Sequence, residues 1–154
     1  MKTAEDIINE KSSDMIWVSP DTTIEEALKI MVENRFGSMV IKDGEKIVGI
    51  WTERDLMEDI LTKGFDPKKA KIGDYMTKDL ITAPHTDTVY HLLDKFLGLR
   101  QRHLFIEKEG KYIGLLSTGD VIRAGLLEKD RELSELNAMV SWNFYEDWKW
   151  KKKK

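Results

Sequence analysis

Apolar residues recur along the chain at two different spacings, and their order predicts the elements of the fold. Compact apolar runs at residues 15–18, 38–41 and 47–51 are typical of short strands. The positions between the first two runs have the spacing of an amphipathic helix, as shown by Ile24, Ala27, Leu28, Met31 and Val32. The pattern therefore predicts a strand, a helix with one buried face, and two more strands.

The second and third strands are predicted to form a hairpin. Asp43-Gly44 lies between them, and this dipeptide supplies the left-handed backbone that a tight turn needs. After the hairpin, the segment 52–55 opens a second predicted helix, which ends near Gly64 and carries Leu56, Ile60 and Leu61. One unit of the chain thus has the order β-α-β-β-α.

The same unit returns later in the chain. Residues 47–55 (IVGIWTERD) align with residues 112–120 (YIGLLSTGD) at a constant offset of 65. One unit alone buries too small a fraction of its surface, so we predict that the two units pack by pseudo-twofold symmetry. We expect an α/β (α+β) chain in four parts: a first repeat with a lead-in helix at 1–65, a linker and second lead-in at 66–79, a second repeat at 80–127, and a C-terminal helix with a Trp/Lys-rich tail at 128–154.

Composition excludes several classes of protein. The 154 residues include no cysteine, which rules out a disulfide framework, a thiol nucleophile and a thiolate zinc site. His85, His91 and His103 are scattered without the spacing of metal ligands. No apolar stretch reaches the roughly 18 residues that a membrane span needs, and the first residues lack the pattern of a secretory signal. We therefore expect a cytoplasmic protein with no membrane span and no metal site.

Charge is distributed unevenly along the chain. The sequence has 25 basic and 28 acidic residues, and Lys151–Lys154 account for four of the basic ones. Residues 1–150 therefore carry 21 basic against 28 acidic side chains, a net charge of −7. A binder of duplex nucleic acid needs a broad cationic face. The acidic body of the chain argues against nucleic acid as a partner.

The doubled Gly-apolar-apolar-Thr/Ser-x-x-Asp motif resembles that of a CBS domain pair, also called a Bateman module. The β-α-β-β-α order and the segment 74–79 support this resemblance, which covers about residues 3–127. Members of that family form one compact body with two clefts that bind adenosine ligands such as AMP, ADP, ATP or S-adenosylmethionine. The resemblance implies a regulatory energy sensor with no catalytic residues and no cofactor beyond that ligand. It also implies a homodimer that acts on a separate effector protein.

The resemblance places the ligand contacts at the two strand-to-helix corners. An ionised carboxylate at the first turn of a helix can accept both hydrogen bonds of a ribose diol, while hydroxyl and backbone N–H groups face phosphate. It implies Asp55 and Asp120 as ribose binders, and Thr52 and Ser117 as hydroxyl contacts. One cleft is expected to combine Leu115, Ser117 and Asp120 with Val18, Thr22 and Ala27, and with Arg102 or His103 at the phosphate. The other is expected to combine Ile50, Thr52, Arg54 and Asp55 with Ile81, Asp87 and Leu92.

The first of these two clefts is expected to suit an anionic ligand better. Asp87 stands in the second cleft where the first has Thr22, and Gly37 stands where the first has Arg102. A carboxylate repels an anion, and the loss of a cation removes attraction. Arg54 offsets this in part, and occupation of a single cleft is compatible with the pattern.

Two motifs also have a purely structural interpretation. Thr52-x-x-Asp55 and Ser117-x-x-Asp120 have the spacing of a helix capping box, in which the acid bonds the backbone rather than a ligand. The basic segment 100–103 is equally typical of a helix end that is stabilised by the helix dipole. The sequence leaves both interpretations open beside the ligand-binding ones.

The C-terminal segment lies outside the resemblance. Its apolar residues Leu133, Leu136, Met139 and Val140 predict a helix, and aromatic residues follow at Trp142, Phe144, Tyr145, Trp148 and Trp150. We favour an aromatic cover for an apolar patch at a dimer interface. Stacking on single-stranded nucleic acid or contact with an anionic membrane surface are the alternatives. A competing functional hypothesis is a protein-interaction adaptor with empty clefts that works through this tail.

Overall fold

The computed structural model describes residues 1–11, 15–100 and 102–136. These residues form two β-α-β-β-α units, each preceded by a short helix, and the predicted element order is confirmed. None of the described helices is both long and apolar enough to cross a membrane. The elements in chain order are α1 (Ala4–Glu10), β1 (Trp17–Val18), α2 (Ile24–Asn34), β2 (Ser38–Asp43), β3 (Lys46–Thr52), α3 (Glu53–Asp59), α4 (Ile72–Tyr75), β4 (Thr82–Pro84), α5 (Val89–Leu99), β5 (His103–Lys108), β6 (Lys111–Ser117) and α6 (Thr118–Leu136).

Each unit builds a three-stranded sheet with the same topology. β1 runs parallel to β2, and β2 runs antiparallel to β3; β4, β5 and β6 repeat this arrangement. The hairpin turns use left-handed backbone at Gly44 (φ 61°), and at Glu109 and Gly110 (φ 50° and 78°). The last strand of each sheet ends at Thr52 or Ser117 and leads directly into a helix, so the two corners are equivalent.

The helix that follows the first corner is shorter than predicted. α3 ends at Asp59 rather than near Gly64. The amides of Leu61 and Thr62 bond to carbonyls only three residues back, at Glu58 and Asp59. Such bonds tighten the last turn, and the chain leaves the α-helix there.

The helix that follows the second corner is longer than predicted. α6 runs without a break from Thr118 to Leu136, across the division that the sequence suggested after residue 127. Residues 121–136 contain one glycine and no proline, and they are rich in Leu, Glu, Lys and Arg, which favour helix. The start of the predicted C-terminal helix is thus an extension of the second repeat. The tail from residue 137 onward lies outside the described residues, and its proposed roles stay predictions.

The two lead-in helices, α1 and α4, each cover the sheet of the other repeat. α1 packs on β6 and α6, where its residues Ala4 and Ile7 join the buried core of the second repeat. α4 packs on β3, and its residue Ile72 is buried in the core of the first repeat. The Glu5 carboxylate also bonds His85 and Lys108 of the second repeat, at 2.9 and 2.6 Å. The N-terminal end of α1 is thereby held against the second repeat.

The close packing of α1 on β6 requires a glycine at position 114. A methyl group added at Gly114 would lie 2.5 Å from Cδ1 of Ile8, so one of them must move. We expect Gly114→Ala to lower the free energy of unfolding by about 1–3 kcal/mol in denaturant titrations. Gly98 in α5 is the matched control, because an added methyl would meet no atom within 4 Å. Gly98→Ala should stabilise the protein by about 0.5–1 kcal/mol; equal effects of the two substitutions would contradict this packing.

Candidate functional site

Each strand-to-helix corner forms a helix cap between a hydroxyl residue and the aspartate three residues later. The Thr52 amide donates to Oδ2 of Asp55 at 2.8 Å, and the Asp55 amide donates to the Thr52 hydroxyl at 3.4 Å. The Ser117 amide donates to Oδ2 of Asp120 at 2.8 Å, and the Asp120 amide donates to the Ser117 hydroxyl at 3.2 Å. The structural interpretation of the motif therefore holds at both corners.

These caps leave half of each carboxylate open to a ligand. All the hydrogen bonds that the described residues donate to Asp55 and Asp120 end on Oδ2. The other oxygen, Oδ1, keeps its lone pairs, and each aspartate also borders a cavity. A carboxylate has room for about four hydrogen bonds in all. Capping and ligand binding are thus compatible at the same residue.

The cavity beside the second corner, here called the Asp120 cleft, lies between the two repeats. Its volume is about 480 Å³, a size typical of pockets for small molecules. The first repeat contributes the end of α2 and the segment before β1, and the second contributes β6 and the start of α6. The lining residues are Ile8, Lys11, Met15, Ile16, Arg35, Phe36, Gly37, Ser38, Val40, His103, Ile113, Gly114, Leu115, Ser117 and Asp120.

The cavity beside the first corner, here called the Asp55 cleft, has the same volume of about 480 Å³. It is built from the corresponding elements with the roles of the repeats exchanged. The end of β3 and the start of α3 face the segment before β4 and the end of α5. The lining residues are Gly37, Ile50, Thr52, Glu53, Arg54, Asp55, Thr77, Asp79, Leu80, Ile81, Arg100, Arg102, His103 and Phe105.

The structure brings most of the predicted site residues to the clefts. The Asp120 cleft includes Leu115, Ser117, Asp120 and His103, and the Asp55 cleft includes Ile50, Thr52, Arg54, Asp55 and Ile81. His103 borders both cavities. The sequence-based site places Arg102 at the Asp120 cleft, whereas in the structure Arg102 lines the Asp55 cleft. Contact of these side chains with a ligand stays a prediction.

Val18, Thr22 and Ala27 are not among the residues that line the Asp120 cleft, and their contact with a ligand stays a prediction. Val18 and Ala27 are buried in the core of the first repeat, because they face the interface of its helix and sheet rather than the gap between the repeats. Thr22 turns elsewhere: its hydroxyl lies 3.3 Å from that of Ser19, and its carbonyl accepts the Ile72 amide. The segment before β1 takes their expected place at the cleft.

Asp87 and Leu92 are absent from the lining of the Asp55 cleft for equivalent reasons. Leu92 is fully buried in the core of the second repeat. Asp87 forms an ion pair with Lys95 of α5. The repulsion of an anion that we expected from Asp87 in this cleft is therefore not supported by its position.

Five charged residues that line the clefts are absent from the sequence-based site, and they are Lys11, Arg35, Glu53, Asp79 and Arg100. Arg35 and Arg100 follow α2 and α5, and each closes its helix with left-handed backbone, at φ 58° and 52°. Arg35 and Arg100 are separated by the repeat offset of 65 residues, and this spacing could have identified them as equivalent positions from the sequence. Lys11 and Asp79 lie after the lead-in helices α1 and α4, which are related by an offset of 68 rather than 65. The main repeat does not align them, but the segments 5–8 and 73–76 resemble each other at the offset of 68, and this likeness was a signal for their shared position.

The surroundings of Asp120 keep its carboxyl group ionised. Burial on its own raises the pKa of Asp120, but hydrogen bonds from the Ser117 amide and the Lys11 ammonium outweigh it, and the pKa lies below its ordinary value. Lys11 Nζ donates to Oδ2 of Asp120 at 2.9 Å and to the carbonyl of Leu115 at 3.0 Å. Burial also lowers the pKa of His103, so its imidazole is neutral at neutral pH. In the described part of the lining, the positive charge therefore comes from Lys11 and Arg35.

The Asp55 cleft is richer in cations than the sequence suggested, but it is balanced by acids. Its lining contains the three arginines Arg54, Arg100 and Arg102, together with Glu53, Asp55 and Asp79. Among residues 1–11, 15–100 and 102–136, the lining of the Asp120 cleft contains a single carboxylate. Because Arg102 lines the other cleft, the cations that line the Asp120 cleft among the described residues are Lys11 and Arg35.

Two equivalent sheets, with a cavity and a capping carboxylate at each strand-to-helix corner, define an α/β module made from a tandem repeat. The model of the CBS domain family matches residues 4–62 and 72–127. The chain belongs to the CBS domain family, which confirms the resemblance inferred from its sequence motifs.

Relatives and solved structures agree with this assignment. The chain is 36% identical over 141 residues to the "CBS domain-containing protein CBSX3, mitochondrial" of Arabidopsis thaliana, covering 87% of this chain and 68% of that protein. It is 38% identical over 109 residues to an uncharacterized 17.7 kDa protein of Acidianus ambivalens, covering 70% of this chain and 65% of that protein. The CBS-domain containing protein ATU1752 of Agrobacterium tumefaciens superposes with a TM-score of 0.73 at 30% identity, covering 80% of this chain and 99% of that one. The chain thus spans about two thirds of the length of these two curated relatives.

Proposed function

We propose that the protein is a regulatory module that binds an adenosine ligand, one of AMP, ADP, ATP or S-adenosylmethionine, and catalyses no reaction itself. The observation that carries the proposal is the position of Asp55 and Asp120. Each carboxylate is fixed through Oδ2 while Oδ1 stays open, and each borders a cavity of about 480 Å³. The two O–H donors of a ribose diol match the accepting capacity of such a carboxylate.

Two proteins of similar structure were crystallised with adenosine ligands, which supports this class of ligand. CBSX2 was crystallised in complex with AMP, and it matches this chain with a TM-score of 0.69 at 24% identity. The CBS domain pair of protein MJ0100 was crystallised with 5′-methylthioadenosine and S-adenosyl-L-methionine, and it matches with a TM-score of 0.67 at 23% identity. These likenesses show a shared fold. We extend the ligand class to this chain as part of the proposal.

Ligand binding can act as a signal because both repeats border each cleft. The Asp120 cleft is lined by Arg35 and Phe36 of the first repeat and by Leu115 and Ser117 of the second. A ligand that binds one arrangement of the repeats more tightly shifts the population toward it. We infer that a separate effector protein senses this arrangement.

Titration calorimetry of the full chain with AMP, ATP and S-adenosylmethionine tests the proposal. We expect saturable binding of at least one of the three, with no more than two sites per chain. No saturable heat with any of them would contradict the proposal. It would favour the adaptor hypothesis, in which deletion of residues 137–154 abolishes partner binding.

We also propose that two copies of the chain pair through an apolar helix surface at α3 and α6. Met57 and Leu61, on and just after α3, are exposed to 69% and 86%. Ile122 and Leu126 of α6 stand 65 residues later and are also exposed. Exposed apolar clusters mark interaction surfaces. A twofold contact with a second copy would cover both sets at once.

Leu61→Asp is expected to convert the dimer to a monomer in sedimentation experiments at micromolar concentration. The contact would otherwise bury an unpaired carboxylate, which costs several kcal/mol or more. Trp17→Asp is the matched control, because Trp17 is 48% exposed but lies on β1; this variant should remain dimeric. A monomeric starting protein, or equal dissociation of both variants, would contradict the proposed surface.

A further inference from the structure

Lys11 occupies a position in the Asp120 cleft that the adenosine-binding proposal does not require. It caps the C-terminal end of α1, and its ammonium reaches across to the second repeat. There it donates to Oδ2 of Asp120 at 2.9 Å and to the Leu115 carbonyl at 3.0 Å. The Lys11 side chain is 31% exposed and that of Asp120 is 26% exposed, so solvent only partly screens the pair. A cation is therefore fixed beside the carboxylate that would hold the ribose.

The other cleft has an acid at the corresponding position. Lys11 stands three residues after Ile8, which covers Gly114, and Asp79 stands three residues after Met76, which covers Gly49. Lys11 and Asp79 each line the cleft beside their lead-in helix. The pseudo-twofold arrangement thus presents opposite charges to two cavities of equal volume.

The lysine at one of these positions and the aspartate at the other give the two cavities different charge balances. In the Asp120 cleft, Lys11 compensates the charge of Asp120, and no second carboxylate among the described lining residues opposes Arg35. In the Asp55 cleft, three arginines face three carboxylates, one of which is Asp79. His103 borders both cavities and does not distinguish them.

We propose that Lys11 and Asp79 are specificity-determining residues that give the two clefts different preferences for ligand charge. The Asp120 cleft selects adenosine ligands with phosphate over neutral adenosine and over the sulfonium cation S-adenosylmethionine. The Asp55 cleft discriminates less between them. This inference deepens the proposed function and rests on it, because it requires that an adenosine ligand binds.

The expected size of the effect follows from Coulomb's law. A unit charge a few ångströms from a ligand phosphate, in the partly screened surroundings of a cleft, changes binding by on the order of tenfold. The ratio of the AMP and adenosine dissociation constants isolates this contribution, because the two ligands share the ribose and the base. General damage to the cleft affects both ligands and largely cancels in the ratio.

Nuclear magnetic resonance titrations of the full chain with AMP and with adenosine test the inference. The amides of Leu115 and Ile50 report separately on the Asp120 and Asp55 clefts. Lys11→Met should reduce the preference for AMP in the Asp120 cleft by on the order of tenfold, and Lys11→Arg, which keeps the charge, should retain it. Asp79→Asn should increase the preference for AMP in the Asp55 cleft, and this variant does not depend on the folding of the Lys11 variants.

The outcomes separate this inference from the function on which it rests. If the unmodified chain binds both ligands but Lys11→Met and Asp79→Asn leave both ratios unchanged, the charge-selection inference is wrong and the sensor proposal stands. A loss of preference in Lys11→Arg as complete as in Lys11→Met would also overturn the role of charge. If neither ligand shifts the signals of either cleft in the unmodified chain, the sensor proposal itself fails.

Discussion

Asp120→Ala is expected to weaken AMP binding at the Asp120 cleft by on the order of 100-fold. The substitution removes the oxygen that we expect to accept the ribose diol, and two hydrogen bonds to a charged group contribute about 1.5 kcal/mol or more each. It also removes the cap at the start of α6, so the free energy of unfolding should fall by about 1 kcal/mol. Calorimetric titration with AMP, with unfolding measured in parallel, distinguishes the two effects.

Two matched variants serve as controls for that result. Asp55→Ala changes the equivalent cap and should leave AMP affinity at the Asp120 cleft nearly unchanged. Asp43→Ala removes an exposed carboxylate at the end of β2 and should alter neither cleft. Unchanged affinity and stoichiometry in Asp120→Ala would show that this carboxylate does not hold the ligand.

The largest expected loss of stability comes from Trp51 in β3. This side chain is fully buried in the core of the first repeat, and its indole N–H donates to Oδ2 of Asp59 at 2.8 Å. Trp51→Ala should lower the free energy of unfolding by about 3–5 kcal/mol, because it leaves a large cavity. Burial raises the pKa of Asp59, and loss of the indole donor would remove a contact that favours its charged form.

Denaturant unfolding of three variants checks this prediction. Trp51→Phe keeps most of the buried surface and should lose clearly less stability than Trp51→Ala. Trp17→Ala is the control for an exposed tryptophan, and surface substitutions of this kind usually change stability by about 0.5 kcal/mol or less. Similar losses in Trp17→Ala and Trp51→Ala would contradict the position of the core.

Sequence patterns predicted the fold well because the decisive signals are local and repeated. The strand runs, the helical spacing and the turn glycines each lie within short segments, and the offset of 65 residues doubles each signal. The ends of α3 and α6 were less accurate. Turn geometry after Asp59 ended one helix early, and favourable helix formers after residue 127 extended the other.

The candidate site was predictable only where its residues are neighbours in the chain. Thr52 with Asp55, and Ser117 with Asp120, lie within a single corner each, so the motif alone brings them together. Val18 and Ala27 lie in the core of the first repeat rather than in the lining of the cleft, because apolar spacing shows that a side chain is buried but not which surface buries it.

The contact between Lys11 and Asp120 could not be predicted from the sequence. It joins residues 109 positions apart, and it depends on the packing of the first lead-in helix against the second repeat. No local pattern encodes such a contact. The charge difference between the two clefts therefore became visible only from the structure.

The proposed function requires that the carboxylate at a strand-to-helix corner holds the ribose of an adenosine ligand. A crystal structure of the full chain grown with saturating AMP would locate the ribose. We predict a ribose diol within hydrogen-bond distance of Oδ1 of Asp120 or Asp55, with the base in the adjoining cleft. If neither cleft contains AMP, or if AMP is bound at a different surface, the proposed role of these carboxylates is wrong.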